Sequence, residues 1–161
     1  MNLRRMTELE FRAFRERSIP DYAQDKIQAG SWGAEEALEK SRQAHSGLLP
    51  QGLSTPDQHL FKIELDRQAV GDLWLALEGR PDHRKGFIYD VFVESPYRRR
   101  GLAEAALRLL EGEAFRLGAR SLSLHVFGFN GAARALYEKL GYEVTDVNMS
   151  KAILQGGVND V

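Results

Sequence analysis

The segment from Phe87 to Ala103 constrains the fold of this chain more than any other part of its sequence. Residues 87–93 (FIYDVFV) form a nearly continuous apolar and aromatic run, which is typical of a central strand covered on both faces. A short turn with Pro96 and three arginines follows, and a helix with one apolar face begins at Gly101. The free amides and positive dipole end of such a helix start can bind an anion. The alternative is a solvated basic turn before an ordinary helix.

Hydrophobic periodicity predicts the elements on either side of this segment. In the first third of the chain, a capping box of Thr7 and Glu10 starts a helix that Pro20 interrupts and Gly30 ends, and Ser31 caps a further helix. The remaining predicted elements, in chain order, are a loop at 48–58, a hairpin of strands 60–65 and 70–77, a loop at 78–86, the central strand 87–93, a helix at 101–117, a strand at 121–127, a helix from 130 to 140 and a final strand at 142–149.

This order of elements predicts a mixed α/β fold. It contains one strand–helix–strand crossover, which we expect to be right-handed. A chain of 161 residues, of which 43% are hydrophobic, is sufficient for one sizeable core. We therefore expect a single domain over residues 1–161.

Composition excludes several classes of function. The absence of cysteine rules out disulfides, thiolate catalysis and cysteine-ligated metals. The formal net charge of −1 argues against a nucleic-acid partner, which requires an excess of Lys and Arg. His45, His59 and His83 have no metal-ligand spacing, so we treat them as surface or loop residues and predict no metal site. Without an apolar leader or a run of about 20 apolar residues, we expect a soluble, cytoplasmic protein with no membrane partner.

Two motifs resemble one known family. The dinucleotide glycine fingerprint and the Gly-Lys-Ser/Thr phosphate loop are absent from the basic turn. Residues 98–103 (RRRGLA) instead match the pattern Arg/Gln-x-x-Gly-x-Gly/Ala of the GNAT superfamily of N-acetyltransferases. Residues 130–142 (NGAARALYEKLGY) are similar to that family's Asn-x-x-Ala-x-x-x-Tyr-x-x-x-Gly-Phe/Tyr segment. The close resemblance covers residues 87–151 and is strongest to bacterial GNAT proteins whose acceptors are poorly defined.

The resemblance implies a fold and a co-substrate. The fold is a GNAT-type mixed, mostly antiparallel, twisted sheet flanked by helices, in which the central parallel strand pair splays apart. The co-substrate is acetyl-coenzyme A (acetyl-CoA), held by a core at residues 87–151, with residues 1–58 as a helical acceptor-side region. The residues implied in cofactor binding are Val91, Phe92 and Val93 for pantetheine, Arg98, Arg99, Arg100, Gly101, Leu102 and Ala103 for pyrophosphate, and Asn130 and Tyr137 on the following helix.

This sequence departs from the family pattern at two positions in the turn. Arg99 replaces a common glycine, and Pro96 lies one place later than usual. If Arg99 adopts a left-handed conformation, the cost is roughly 1–2 kcal/mol, which its charge near phosphate would offset.

The resemblance also implies catalytic roles. Tyr137 matches the family's tyrosine that protonates the leaving thiolate of coenzyme A, although an aromatic residue at helical spacing is also typical of a core. An alkyl amine near pKa 10 arrives charged, so a general base is needed, and His125 is our first choice because imidazole titrates near neutral pH. Glu94 and Asp90 are the reserve candidates, and a structural histidine with a water chain as base remains an alternative.

We therefore expect an N-acetyltransferase, a member of the acyltransferases, that moves an acetyl group from acetyl-CoA to a primary amine. Direct attack in a ternary complex follows because no cysteine can carry an acetyl intermediate. The acceptor would be a small molecule or a peptide. The first alternative is a non-catalytic acyl-CoA-binding or sensing module, and the second is a nucleic-acid-binding domain that uses the three arginines. A homodimer through an edge strand is also open.

Overall fold

The computed structural model describes residues 1–155 as one five-stranded sheet with four α-helices. The elements are, in chain order, β1 (Asn2–Arg5), α1 (Glu8–Gln28), α2 (Ala37–Leu48), β2 (Gln58–Leu65), β3 (Gln68–Arg80), β4 (His83–Val93), α3 (Leu102–Arg116), β5 (Ala119–Leu124) and α4 (Gly131–Lys139). Short 3₁₀ turns lie at Gly52–Ser54 and Ser95–Tyr97. None of the helices in these 155 residues has the length and apolar character needed to cross a membrane.

The strands lie in the order β1-β2-β3-β4-β5. All neighbouring pairs are antiparallel except β4 and β5, which are parallel and connected through α3. A parallel pair requires such a crossover, because a tight turn can join only antiparallel strands. The mixed, mostly antiparallel sheet flanked by helices confirms the predicted fold class.

Helices cover both faces of the sheet, and each face has its own apolar core. On one face, Leu107 of α3 and Leu75 of β3 belong to a cluster of nearly inaccessible side chains. On the other face, Phe14 of α1 packs edge-on against Trp74 of β3, with 5.9 Å between their ring centroids. Each such fully buried side chain contributes about 1.5–3 kcal/mol relative to its exposed state.

Two strand regions differ from the sequence prediction. Residues 78–86, predicted as a loop, continue the β3–β4 ladder as far as the pair Arg80–His83, which leaves Pro81 and Asp82 as the turn. The prediction was wrong because most side chains there are exposed. An exposed strand needs no alternating apolar residues, so hydrophobic periodicity does not detect it. Strand β1 was missed for a similar reason, since Leu3 is its only apolar residue.

The first helix also differs from the prediction. Its capping box of Thr7 and Glu10 is present, but Pro20 does not interrupt α1, which runs from Glu8 to Gln28. Proline removes one backbone donor and crowds the carbonyl one turn earlier. The buried side chains of Ile19 and Ala23 on either side of the proline hold the helix against the rest of the protein despite that loss.

The prediction that the three histidines are surface or loop residues is wrong for His45. This residue lies in α2 and is buried, and its Nδ1 donates a hydrogen bond to the Ser41 carbonyl at 2.8 Å. Its Nε2 lies 2.9 Å from Ser18 Oγ and accepts from that hydroxyl. Burial lowers the pKa of His45, which keeps the ring neutral. His59 is half-buried on β2, whereas His83 is exposed at the start of β4.

The predicted final strand at 142–149 does not form in the single chain. Tyr142 packs against the α3-side core, but no residue from 142 to 154 belongs to a helix or strand. Among the described residues, β5 is therefore an edge strand with β4 as its only neighbour.

A buried network of charges connects α1 to the middle of the sheet. The Arg17 guanidinium donates to Asp72 of β3 at 3.1 Å and to Asp90 of β4 at 2.6 Å, while Lys62 of β2 also pairs with Asp72. The guanidinium carbon lies 3.8 Å from the centroid of the Phe92 ring. Buried charges are tolerated only when paired in this way. We call these four charged residues (Arg17, Lys62, Asp72 and Asp90) the Arg17 network.

Removal of the Arg17 charge should destabilise the fold strongly. Arg17→Met retains the aliphatic stem but leaves Asp90 without its cation, and we expect the free energy of unfolding in urea to fall by about 3–5 kcal/mol. The folded variant would hold a proton on Asp90 that the unfolded chain releases above about pH 4, so its stability should fall further as the pH rises.

The neighbouring pair between Arg17 and Asp21 provides the control for that variant. The Asp21 side chain is 58% exposed and lies 3.5 Å from Arg17, so Asp21→Asn should change the stability by less than about 0.5 kcal/mol. Equal losses of unfolding free energy in Arg17→Met and Asp21→Asn would contradict the central role of the Arg17 network.

Candidate active site

The strands β4 and β5 part in the middle of the molecule. Their parallel pairing runs from Arg84–Ala119 to Ile88–Leu124, where β5 ends. Strand β4 continues to Val93, so its edge from residue 89 to residue 93 has no strand beside it on the β5 side. One polar group of this edge is occupied, because the Val93 carbonyl accepts a hydrogen bond from Arg98 Nε at 2.8 Å. The parted strands leave a stretch of backbone that an extended ligand can pair with.

A β-bulge lies at the point of parting. Trp74 of β3 pairs with Asp90 and its neighbour Leu75 pairs with Ile88, so Tyr89 is the extra residue on β4. The bulge turns two consecutive side chains, Tyr89 and Asp90, toward the face that α1 and α2 cover, and both line the same cavity. A regular strand would have directed them to opposite faces.

That cavity has a volume of about 350 Å³ and lies between α1, α2 and the parted strands. Its size is within the range of small-molecule sites. Aromatic and acidic side chains dominate the wall. The aromatic residues are Tyr22, Trp74, Phe87, Tyr89 and Phe127, and the carboxylates are Asp21, Asp25 and Asp90.

The charges that line the cavity leave a small negative excess, with Asp21, Asp25 and Asp90 against Arg17 and Lys26. Asp90 is matched by Arg17, but Asp25 forms no ion pair within residues 1–155. Partial burial and the nearby charge of Asp21 raise the pKa of the Asp25 carboxyl. Burial also raises the pKa of Asp90, against the opposing effect of Arg17. A positively charged ligand would offset both the cost of burying these carboxylates in their charged form and the repulsion between them.

The basic turn between β4 and α3 has the backbone of an anion site. Arg99 has a φ of 62° and Gly101 a φ of 73°, both in the left-handed region, so Arg99 carries the strain expected for a residue in place of glycine. The first helical hydrogen bond of α3 runs from the Ala105 amide to the Gly101 carbonyl. The amides that precede Ala105 in α3 therefore have no helical acceptor and are available to a ligand.

The arginines of the turn are held by different contacts. Arg98 is anchored through its Nε to the Val93 carbonyl, and its guanidinium carbon lies 5.4 Å from the centroid of the Phe92 ring. The guanidinium carbon of Arg100 lies 5.8 Å from the Tyr97 ring centroid. Arg99 is exposed. The turn therefore places positive charge next to the free amides of α3.

Helix α4 carries the second sequence motif. Asn130 caps it, and its side-chain oxygen accepts from the Ala133 amide at 3.2 Å. Tyr137 is half-buried, with its ring centroid 5.8 Å from that of Tyr142. Burial and the charge of Asp90 raise the pKa of the Tyr137 phenol, so the hydroxyl holds its proton at neutral pH. The Tyr142 hydroxyl is buried without a hydrogen-bond partner among residues 1–155.

The predicted base candidates lie in different surroundings. His125 follows β5 and lines the cavity together with Asp90. Glu94 lies at the end of β4, where it precedes the 3₁₀ turn; it is exposed and is not part of the cavity wall. The sequence did not indicate Asp21, Asp25 or Tyr89 as site residues. The two aspartates lie on a solvated helix face and Tyr89 lies at a bulge, and neither feature produces a periodic pattern of apolar residues.

The comparisons with known proteins agree with this geometry. Residues 4–142 match the acetyltransferase (GNAT) family. An uncharacterized N-acetyltransferase of Bacillus subtilis strain 168, YycN, is 43% identical over 145 residues, which are 89% of this chain and 93% of that protein. A second from the same strain, YdgE, is 38% identical over 149 residues, which are 92% and 95% of the two chains.

A solved structure extends this similarity to three dimensions. The crystal structure of YycN superposes with a TM-score of 0.91 at 42% identity, and covers 95% of this chain and 98% of that chain. A match over most of the chain, close relatives and a shared fold lead to one conclusion: this chain belongs to the GNAT family of acetyltransferases.

Proposed function

We propose that this protein transfers an acetyl group from acetyl-CoA to a primary amine by direct attack in a ternary complex. The observation that carries the proposal is the parting of β4 from β5, which opens a backbone edge close to an acidic, aromatic cavity. The acetyl thioester would lie where the two meet, so that the amine and the carbonyl carbon are held close together. Such positioning supplies much of the rate enhancement of a bimolecular reaction.

The cofactor would use the groups that the structure leaves available. The pantetheine arm would pair with the β4 backbone at Val91, Phe92 and Val93, in the place that a longer β5 would take. The pyrophosphate would bind the amides of the turn at residues 98–103, with charge from its arginines. Asn130 would contact the pantetheine arm through its backbone, since its side-chain oxygen caps α4.

The acceptor would enter the cavity as a protonated amine. Alkyl amines have a pKa near 10 and are charged at neutral pH. The carboxylates of Asp21 and Asp25 would attract such a cation, and the faces of Tyr22 and Tyr89 would stabilise it by cation–π contact. A metabolite with a second positive charge, or the amino group of a peptide, would fit these walls.

The amine must then lose a proton before it attacks. His125 is our candidate for the base, because it borders the cavity and an imidazole ring has a nitrogen that can accept a proton. Asp90 is the alternative within the cavity, although its ion pair with Arg17 at 2.6 Å reduces its availability. Glu94 could act only through water, because it lies outside the cavity wall.

Tyr137 would assist the departure of coenzyme A. A phenol has a pKa near 10 and a thiol one near 8.5, so complete proton transfer to the thiolate is uphill by about 2 kcal/mol. Burial increases this difference. The Tyr137 hydroxyl therefore acts as a hydrogen-bond donor to sulfur while negative charge develops, and solvent completes the protonation.

The cofactor site can be tested at Gly101. A Cβ at this position meets no atom within 4 Å, so Gly101→Glu should fold despite the strain of its positive φ, while its charge repels the pyrophosphate. We expect acetyl-CoA affinity in calorimetry to fall at least tenfold, or about 1.4 kcal/mol. Gly101→Ala is the control for strain at positive φ and should retain most of the affinity. Equal affinity in the Glu and Ala variants would mean that the phosphates bind elsewhere.

The acceptor site can be tested with Asp25 and His125 together. Asp25→Asn removes a charge without changing shape, so KM for a cationic amine should rise about tenfold while kcat is retained. His125→Gln should show the opposite pattern, with kcat reduced by about 10²-fold and KM retained. Glu35→Gln, on the exposed surface outside the cavity, is the control. Identical kinetics in all three variants would exclude this cavity as the acceptor site.

The choice between an enzyme and a sensing module depends on Tyr137. In a screen of amines that follows coenzyme A release, Tyr137→Phe should bind acetyl-CoA normally but turn over up to about 10²-fold more slowly. Tyr142→Phe is the matched control, because it removes a neighbouring phenol that has no hydrogen-bond partner in the described structure. Full activity in Tyr137→Phe would refute its catalytic role. Tight acetyl-CoA binding by a wild type that acetylates no amine would favour the sensing module.

A further inference from the structure

A buried histidine stands in the wall of the acidic cavity. His45 of α2 is 5% exposed and lines this cavity together with Tyr22 of α1 and Trp74 of β3. Its ring centroid lies 5.8 Å from that of Trp74 and 6.1 Å from that of Tyr22. The imidazole ring therefore packs against two of the aromatic side chains that shape the cavity.

Both ring nitrogens of His45 have partners, and the partners lie on different helices. Nδ1 donates to the Ser41 carbonyl of α2 at 2.8 Å, whereas Nε2 accepts from the Ser18 hydroxyl of α1 at 2.9 Å. Ser18 also lines the cavity. The contact between His45 and Ser18 is therefore a polar link between the two helices at the cavity wall.

A second hydrogen bond between the same helices lies away from the cavity. Ser41 Oγ donates to the Ile19 carbonyl at 2.7 Å, and neither residue belongs to the cavity wall. The two helices thus have one buried side-chain bond at the cavity and a comparable one outside it. This pair allows the role of the cavity bond to be separated from the general packing of α1 on α2.

The bond from Ser18 requires a neutral His45 ring. A proton on Nε2 would turn the acceptor into a donor and place a positive charge in a buried position. On α1, the charged groups that act on the ring are Arg15 and Arg17, and both repel such a charge. Burial and these two arginines lower the pKa of His45.

The other groups around His45 do not compensate a charge on the ring. Strand β3 presents the uncharged indole of Trp74, and the Asp90 carboxylate of β4 is paired with Arg17 at 2.6 Å. Asp21 and Asp25 of α1 line the cavity, but neither is a hydrogen-bond partner of the ring. A protonated His45 would therefore be stable only after it moves away from these contacts toward water.

We propose that His45 is a positioning residue for the acceptor site, where its neutral ring fixes Tyr22 and Trp74 in the arrangement that receives the amine. We call the arrangement in which His45 contacts Ser18 and Trp74 the closed wall. His45 touches neither acetyl-CoA nor the reacting atoms in this scheme, so it supports acceptor binding and not proton transfer. The connection to the amine rests on the function proposed above, whereas the connection to the wall rests on the contacts of His45 alone.

The direction of the pH effect follows from burial. An exposed imidazole has a pKa of about 6.5, and the pKa of His45 in the closed wall is lower. Below about pH 6.5 an opened wall takes up a proton that the closed wall does not bind. The closed wall therefore loses population as the pH falls, by up to about tenfold for each pH unit.

Steady-state kinetics with an amine acceptor separate this role from a merely structural one. His45→Leu removes both hydrogen bonds, and we expect KM for the amine to rise about tenfold while kcat and acetyl-CoA affinity change by less than about twofold. His45→Gln offers Ser18 a neutral acceptor, so it should recover most of the loss, and its KM should rise less than that of the wild type as the pH falls. If His45→Leu fails to fold in circular dichroism, Ser18→Ala removes the same contact and takes its place.

Ser41→Ala is the matched control for these variants. It removes the hydrogen bond to the Ile19 carbonyl and retains the Ser41 carbonyl that His45 uses. Its thermal stability should fall, because a buried bond between α1 and α2 is lost. Its KM should nevertheless stay within about twofold of the wild-type value, since the cavity wall is unchanged.

Tryptophan emission tests the wall without any acceptor. The chain has two tryptophans, so Trp32→Phe leaves Trp74, which is 3% exposed, as the single reporter. Lowering the pH from about 7.5 to about 5 should shift its emission to longer wavelength as the wall opens to water. The double variant Trp32→Phe/His45→Gln should show a much smaller shift.

Three results would overturn the proposal. They are an unchanged Trp74 emission in Trp32→Phe over this pH range, an equal shift when His45→Gln is added, and an equal rise of KM in Ser41→Ala and His45→Leu. A wild type that acetylates no amine would refute the proposed function instead, and the emission of Trp74 would still decide whether His45 controls the wall.

Discussion

The contact between Arg17 and the two central strands is the interaction on which the rest of this structure depends. One guanidinium joins Asp72 of β3 to Asp90 of β4, and it lies over the Phe92 ring. Burying these charges costs several kcal/mol, which their ion pairs offset, although Arg17 Nε has no hydrogen-bond partner among residues 1–155. The cost is tolerated because the contact fixes α1, which forms one wall of the cavity, to the part of β4 where the strands separate.

The bulge at Tyr89 and the end of β5 at Leu124 together turn a continuous sheet into a site. The bulge directs two adjacent side chains of β4 into the cavity, and the early end of β5 leaves the edge of β4 free. The cavity and the free edge arise from two irregularities that lie next to each other in the sheet. A cation in the cavity and an extended cofactor on the edge would therefore meet at the same few residues of β4.

The outer side of β5 has the opposite character. Its edge has no partner strand among residues 1–155, and residues 143–155 after α4 carry exposed apolar side chains. An open edge carries a risk of aggregation unless it is covered or disrupted.

The sequence by itself determined the central strand, the glycine turn, α3 and the α4 motif, because each has a local pattern of burial or backbone conformation that short-range physics dictates. The left-handed Arg99 and the candidate base His125 came instead from comparison with the family pattern. Only the tertiary structure decided that Asp25 and Tyr89 share a cavity, that Glu94 lies outside it, that His45 is buried and that the last predicted strand has no partner among residues 1–155. These outcomes depend on a bulge, on helix packing and on pairing between distant segments, and none of them leaves a periodic trace in the residues concerned.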